Sequence, residues 1–311
     1  MMAESVDEMV RHVFVLNPTA GRTSGEEALV RQIGVMGNAF SHELYVTKVP
    51  GDATAFVRDR CLTAAGEIRF YACGGDGTLN EVINGAVGCP QASVACWPCG
   101  SGNDYVKYFG AIDSFLDLDA LIHGREKVVD LMQVNGDRYA INMVHFGLDS
   151  TVAETIRHIK RWPLIGGKRA YYVGALKAFI TSVRNSCQVS VDGERLGGDA
   201  ALLCTIACGQ YVGGSFKSSP MSDNADGLLD VCLVKPISRL RIPGLIGLYK
   251  SGQHLHNPKL QHDLIYRRGK SVAISAPEGF ALLLDGEIVS GTDFQVDVVP
   301  RALRFVVPRG L

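Results

Sequence analysis

The stretch from Ile68 to Asp104 constrains this chain more than any other. An apolar run, Ile68 to Cys73, stops at Gly74-Gly75-Asp76-Gly77-Thr78, after which Leu79, Val82, Ile83 and Ala86 recur at helical spacing. Thr78 followed by Glu81 matches a capping box, which predicts that a helix opens at this turn. A second short run, Val94 to Trp97, leads to a second glycine turn, Gly100-Ser101-Gly102-Asn103-Asp104. Paired glycines let the backbone come close to a ligand, and a helix N-terminus offers unpaired N–H groups to an anion. A lone Gly-Gly-Asp-Gly would read as an ordinary tight turn. Placed after a buried strand, before a helix, and echoed by a second turn, it reads as a phosphate cradle. Asp76 would repel phosphate unless a cation stood between them, and magnesium has that place in phosphoryl transfer.

The segments before this cradle follow the same plan. Val13 to Leu16 ends in Asn17-Pro18-Thr19-Ala20-Gly21, and Glu27 to Met36 is amphipathic at helical period. A strand at Glu43 to Val49 and a helix from Asp52 to Ala65 come next. The order β-α-β-α-β-α-β up to Trp97 predicts a parallel sheet covered by helices, with ligand at the carboxyl ends of its strands.

Beyond Gly124 the pattern changes. Lys127 to Val134 and Arg138 to Phe146 are joined by Asn135-Gly136, a hairpin signal. Short β-type runs follow at Gln188 to Val191, Ala200 to Ala207, Leu229 to Val234, Ser271 to Ile274, Phe280 to Leu284, Phe294 to Val299 and Leu303 to Val307. Such spacing predicts an antiparallel sandwich or barrel-like domain. The expected fold class is therefore α/β plus all-β, with the boundary near residue 130.

At 311 residues the chain is long enough for two cored domains. A net charge of −1 gives no electrostatic footprint for nucleic acid. Nine cysteines without a repeating spacing argue against a disulfide framework and for reduced, cytosolic thiols. The acidic start, with Glu4, Asp7 and Glu8, is unlike a signal peptide, and no run reaches the ~18 apolar residues of a spanning helix, so membrane contact is expected to be peripheral. Residues Thr155 to Val191 contain no Asp or Glu, while Arg157, Lys160, Arg161, Lys168, Arg169, Lys177 and Arg184 stand beside Trp162, Tyr171, Tyr172 and Phe179. That mixture suits an anionic membrane surface as well as it suits a solvated helix face.

Weaker signals are read conservatively. Cys96-Trp97-Pro98-Cys99 fits C-x-x-C but has no second pair, so small buried or loop cysteines are favoured over a redox or zinc site. His254, His256 and His262 fit no usual metal spacing and are expected on a surface loop. Asp223, Asp226 and Asp230 would suit magnesium or calcium, or simply an Asx-rich loop. G-x-x-x-x-G-K-[ST], G-x-G-x-x-G and G-x-S-x-G are all absent, which argues against a P-loop enzyme, a nicotinamide oxidoreductase and an α/β-hydrolase.

Taken together, Asn17 to Gly21, Gly74 to Val82, Pro98 to Asp104, Asp226-Gly227-Leu228 and Asp285-Gly286-Glu287 resemble the soluble, bacterial-type diacylglycerol kinases. Their catalytic module is shared with sphingosine and ceramide kinases and, more distantly, with NAD kinases. The resemblance covers nearly the whole chain. It implies a Rossmann-like N-terminal domain at 1–130, completed by a C-terminal strand at 303–311, and a β-sandwich at 131–302 on the lipid-acceptor side, with ATP bound between the two domains. It implies further that Asn17, Pro18, Thr19, Ala20, Gly21, Thr47, Gly74, Gly75, Asp76, Gly77, Thr78, Leu79, Asn80 and Ser101 surround ATP. Read from the residues, Asn103 and Asp104 of the second turn join that set, and Asp76 with Asp104 would hold or orient the metal. Glu287 matches the family's general base, with Asp285 and Asp130 in an acidic, metal-linked network. Locally, Leu284 to Ile288 also reads as a plain hairpin with Glu287 exposed. Asp223, Asp226 and the Leu228 carbonyl match a structural magnesium site. The implied activity is transfer of the ATP γ-phosphate to a diacylglycerol-like lipid at a membrane surface, with a homodimer left open. Ser101 stands where Thr is common and keeps the hydroxyl. Cys96 and Cys99 are less expected.

Overall fold

The computed structural model describes residues 10–21, 23–37, 40–147 and 184–311, so most of the basic, aromatic segment 155–191 lies outside the described residues. The chain forms two units, Met1–Leu131 with Pro300–Leu311, and Met132–Val299.

In the first unit, β1 (Arg11–Leu16), β2 (His42–Val46), β3 (Ile68–Gly74) and β4 (Ala92–Pro98) alternate with α1 (Thr23–Met36), α2 (Asp52–Thr63) and α3 (Asp76–Ala86). The strands pair in parallel in the order β2-β1-β3-β4. Every residue of β3 and β4 is buried, as a strand covered on both faces must be, which is why these strands read as nearly continuous apolar runs, broken at Arg69 and Ser93. At the edge, β2 alternates between exposed and half-buried residues. α3 packs Leu79, Val82, Ile83 and Ala86 into the core. After α4 (Leu118–Ile122), β5 (Arg125–Val134) leads out of this unit.

The anticipated capping box does not form. α3 begins at Asp76, two residues before Thr78, and its N-cap Gly75 makes no side-chain cap. Thr78 is drawn into the first turn, where its hydroxyl accepts from Asn17 Nδ2 at 3.1 Å. Glu81 turns to the neighbouring helix and accepts the Ala53 N–H at 3.2 Å. The N-terminus of α3 thus carries no side-chain cap.

The second unit contains β6 (Arg138–Ala140), β7 (Met143–Gly147), β8 (Asn185–Ser186), β9 (Gln188–Val191), β10 (Glu194–Leu196), β11 (Ala200–Ala201), β12 (Leu203–Ala207), β13 (Leu229–Val234), β14 (Leu264–Gly269), β15 (Ser271–Ser275), β16 (Ala281–Leu284) and β17 (Glu287–Ser290), with α5 (Ile242–Ser251) between β13 and β14. The last strand, β18 (Asp293–Val307), is one element where two were expected. Its early residues pair antiparallel with β15, and Arg304 and Phe305 pair in parallel with Ser93 and Val94 of β4.

One antiparallel sheet of this unit runs β14-β13-β12-β7-β16-β17, and another includes β10-β9-β15-β18. Their facing side chains, among them Phe146, Ile206, Val231 and Leu282 against Val189, Val272, Ile274 and Phe294, form the sandwich core. Alternate residues of β12 and β13, Leu203, Cys232 and Val234, point the other way and meet Ile242, Leu245 and Tyr249 of α5. α5 was not expected from the sequence, and it accounts for the burial of both faces of β13.

The expected strand Arg138 to Phe146 breaks after Ala140. The Asp285 carboxylate accepts the N–H groups of Ile141, Asn142 and Met143 at 2.7, 3.1 and 2.8 Å, and bonds to a side chain there replace a ladder.

Candidate active site

Because β1, β2, β3 and β4 are parallel, the segments that follow them emerge along one carboxyl edge of the sheet, the usual place for a ligand in an open α/β fold. Asn17 closes the first of these turns. Its side-chain oxygen accepts from Thr19 N at 3.0 Å and Thr19 Oγ1 at 2.8 Å, while its own N–H donates to Cys73 O at 3.0 Å. Ala20 N donates back to Asn17 O, and Pro18, Thr19 and Gly21 are exposed. The Thr47 N–H donates to Leu16 O at 2.8 Å, which sets Thr47 beside the start of the same turn.

The two glycine turns pack backbone against backbone. Cys99 N donates to Gly74 O at 2.8 Å, and a Cβ on Gly100 would lie 2.4 Å from the Gly75 Cα. No side chain fits at that crossing. The Asn17–Gly21 turn reaches the same place, since a Cβ on Gly21 would fall 1.7 Å from the Cys99 carbonyl oxygen. Asn103, in the left-handed region at φ 51°, locks the second turn by accepting from Gly100 N at 2.9 Å and donating to Gly100 O at 2.9 Å. Ser101 is exposed on its crest. In the first turn of α3, Leu79 donates to Gly75 O at 3.0 Å, and Asn80 is buried beside Asn84.

Asp76 joins the two turns. Its Oδ1 accepts the Asp104 N–H at 2.6 Å, and a Cβ on Gly102 would meet Asp76 Oδ2 at 2.7 Å and Asp104 Oδ2 at 3.3 Å. Both second carboxylate oxygens therefore border the space above the Gly102 Cα, which glycine alone leaves open. Two hard oxygens converging on such a cradle would suit magnesium as donors. Gly77 lies in the first turn of the uncapped α3 between Asp76 and Thr78.

Around the cradle the thiols are held protonated. Burial, then the charge of Asp76, pushes Cys96 up, and burial, then Glu26, pushes Cys99 up to about 11. All nine cysteines are free, and neither of these two is an activated thiolate.

In the second unit, Asp285 and Gly286 take φ values of 48° and 96° as the two-residue turn between β16 and β17. The three bonds from Asp285 to Ile141, Asn142 and Met143 fix that turn, and Glu287 opens β17 as an exposed residue. Both features of the local hairpin reading hold. In the first unit Asp130 is buried and accepts Arg301 N at 2.7 Å.

Asp223 Oδ1 and Asp226 Oδ1 each accept an N–H two residues on, from Ala225 and Leu228, at 3.0 Å. Arg268 pairs with Asp226 Oδ2 and lies 3.5 Å from Asp230 Oδ2, and Tyr266 donates to Asp230 Oδ1. Burial pushes the Asp230 carboxyl up. With both oxygens of Asp226 engaged, the Arg268 guanidinium supplies counter-charge in a loop whose donor set would otherwise suit magnesium. Arg268→Ala is expected to lower the melting temperature by about 3–6 °C in EDTA, from losing a partly solvated pair worth about 1–2 kcal/mol. Magnesium should restore part of that loss. A variant melting like its parent in EDTA would show that the guanidinium does not hold this loop.

His254 is not on a surface loop. It is buried and stacked 3.9 Å from the Tyr249 ring, and burial pulls its pKa down to about 4. A depressed histidine stabilises fully above its unfolded value near ~6.5 and loses that contribution as pH falls from there through the folded value. Thermal melts at pH 7 and pH 5 should therefore diverge, and His254→Phe should narrow the gap. An unchanged gap would assign the acid sensitivity to other groups.

A family model for the diacylglycerol kinase catalytic domain matches residues 11–134, and one for the YegS C-terminal NAD kinase beta sandwich-like domain matches residues 142–307. The chain belongs to the diacylglycerol kinase and YegS-like lipid kinase family. It is 32% identical over 270 residues to a Yersinia enterocolitica protein named "Probable lipid kinase YegS-like", covering 85% of this chain and 86% of the relative. It is 27% identical to the diacylglycerol kinase of Bacillus subtilis, covering 90% of each. A solved diacylglycerol kinase from Bacillus anthracis superposes with a TM-score of 0.69 at 19% identity, over 98% of this chain and 99% of that one, a likeness of fold.

As a member of this lipid kinase family the chain is a kinase, and the family implies use of ATP. The three turns at the sheet edge fall within the matched catalytic region, and Glu287 within the matched sandwich region. One residue of this kinase escaped the sequence reading. Lys107 Nζ donates to Asp104 Oδ1 at 2.6 Å and to Gly102 O at 2.7 Å, so it braces the carboxylate and the turn together. The i, i+3 spacing of Asp104 and Lys107 was the available signal. No helix among the described residues is long and apolar enough to cross a membrane.

Proposed function

We propose that this kinase transfers the γ-phosphate of magnesium-bound ATP to the hydroxyl of a diacylglycerol-like lipid presented at a membrane surface, giving a phosphatidic-acid-type product. The observation that carries the reading is the convergence of Asp76 Oδ2 and Asp104 Oδ2 over Gly102, beside crossed glycine turns and the uncapped start of α3. Bound magnesium would neutralise charge on the phosphate oxygens, and Asp76 and Asp104 are the residues we assign to hold it. Backbone N–H groups of Gly75 and Gly77 face the phosphates in this reading, with Asn17 to Gly21, Thr47, Thr78, Leu79, Asn80, Ser101 and Asn103 around the nucleotide, while the Gly100 N–H is spent inside its own turn on Asn103. As the acceptor oxygen bonds to the γ-phosphorus, the bond to the ADP oxygen breaks and the hydroxyl proton passes to Glu287. Asp285 holds the hairpin that carries Glu287, and Asp130 is buried support. The lipid substrate class is favoured by the relatives, a probable YegS-like lipid kinase and a diacylglycerol kinase.

The test is incubation with labelled ATP and magnesium against a panel of dispersed diacylglycerols, ceramide, sphingosine and NAD, with products identified by mass. Phosphatidic acid as the main product is the expected result. Phosphorylated NAD with no labelled lipid would replace this reading with an NAD kinase, and no transfer at all would leave a nucleotide-binding regulatory module.

A further inference from the structure

The residues between Asp230 and Asp263 include Lys235, Arg239, Arg241, Lys250 and Lys259 and no Asp or Glu. In the second unit this stretch forms a short turn, Arg239–Arg241, running directly into α5. α5 buries Ile242, Leu245 and Tyr249 on β13 and turns its other side outward. Leu240 is 93% exposed between the two arginines, and Ile246 is 40% exposed one and a half turns further on. Arg239, Pro243, Gly244, Gly247 and Lys250 complete the exposed side.

Folding does not account for this face. Two glycines within a ten-residue helix weaken it relative to alanine, and a Cβ on Gly244 or Gly247 would meet nothing, so no close packing requires them. What they produce is a low, bare surface between two protruding apolar side chains and flanking basic ones. Arg241 is engaged by Asp263 and the Lys259 carbonyl, which anchors the turn and holds Leu240 outward. A single exposed leucine needs no explanation, but an exposed apolar pair framed by basic residues, in a stretch without acid, has the composition of an interfacial helix.

We infer that the turn and helix Arg239–Ser251 are a docking face for an anionic lipid bilayer, with Leu240 and Ile246 entering the head-group region and Lys250 meeting lipid phosphates. This deepens the lipid-kinase reading and rests on it for its purpose. Positive charge and the absence of acid select an anionic surface over a neutral one.

The experiment compares the full chain with a Leu240→Asp/Ile246→Asp double variant by flotation with vesicles of phosphatidylcholine alone and with phosphatidylglycerol added. Parent partitioning should require phosphatidylglycerol and weaken with salt, and the variant's partition coefficient should fall about tenfold or more. Phosphorylation of diacylglycerol in those vesicles should fall in step, while phosphorylation of 1,2-dihexanoylglycerol supplied without vesicles stays at the parental rate. Leu240→Trp supplies an independent readout, an emission blue shift on adding the anionic vesicles. Parental binding by the double variant, or no shift from the tryptophan, would overturn the docking face. If the parent floats and the variant does not, yet neither phosphorylates any glycerolipid, the substrate reading fails and the docking face stands.

Discussion

Glu287→Gln is expected to reduce lipid phosphorylation by roughly 10²–10⁴-fold, the range over which a positioned general base acts, with ATP affinity within about twofold of the parent. The substitution keeps the shape of the side chain and removes only its ability to take the hydroxyl proton. Glu287 is exposed at the start of β17 and Gln fills the same volume, so the fold should melt close to the parent. The hairpin beneath it is held by Asp285 through three backbone N–H groups, which makes position 287 a rigid mount. Single-turnover measurements with saturating ATP separate the chemical step from binding. Turnover near the parental value would remove Glu287 from the reaction and leave the Asp-Gly turn as an ordinary hairpin.

Gly100→Ala is expected to weaken ATP binding by about 100-fold or more, because the added Cβ would sit 2.4 Å from the Gly75 Cα and 3.2 Å from its nitrogen. The clash is with backbone, so no rotamer relieves it, and the two turns must separate by an ångström or so. Separation would shift the Gly75 amide, break the bonds that Gly100 N makes to Asn103 and Gly74, and misalign the pair of carboxylates at Asp76 and Asp104. Gly34→Ala in α1 is the matched control, since a Cβ there meets nothing and the helix should gain up to about 1 kcal/mol. Calorimetric titration of both variants with ATP and magnesium checks the contrast. Parental affinity in Gly100→Ala would show that nucleotide does not depend on the crossing of these turns.

The parallel half of the fold was legible because buried strands and glycine turns leave strong local marks. The runs ending at Leu16, Cys73 and Trp97 each stop at a turn, and each lies within two residues of an observed strand end. Errors cluster where a distant group supplies a bond that neighbours in sequence do not. Thr78 and Glu81 satisfy a capping pattern on paper, but Asn17 and Ala53 claim them. Arg138 to Phe146 alternates like one strand, but Asp285 captures the backbone in the middle. α5 was passed over because Pro243, Gly244 and Gly247 lower its helical signal, while β13 supplies the packing that stabilises it.

The site divides along the same line. By itself the sequence nominated candidates for phosphate and metal, because that chemistry needs glycine, carboxylate and amide in short, recognisable turns. It could not determine that Gly75 and Gly100 touch, that Asp76 accepts from Asp104, or that Lys107 braces the pair, because these contacts join segments brought together by a parallel sheet. Nor could it tell that Arg268 faces Asp226 and Asp230 across 42 and 38 positions of sequence, a pairing set by the register of β13 on β14. Local composition specifies chemical capacity, and only the folded chain fixes which charges share a space.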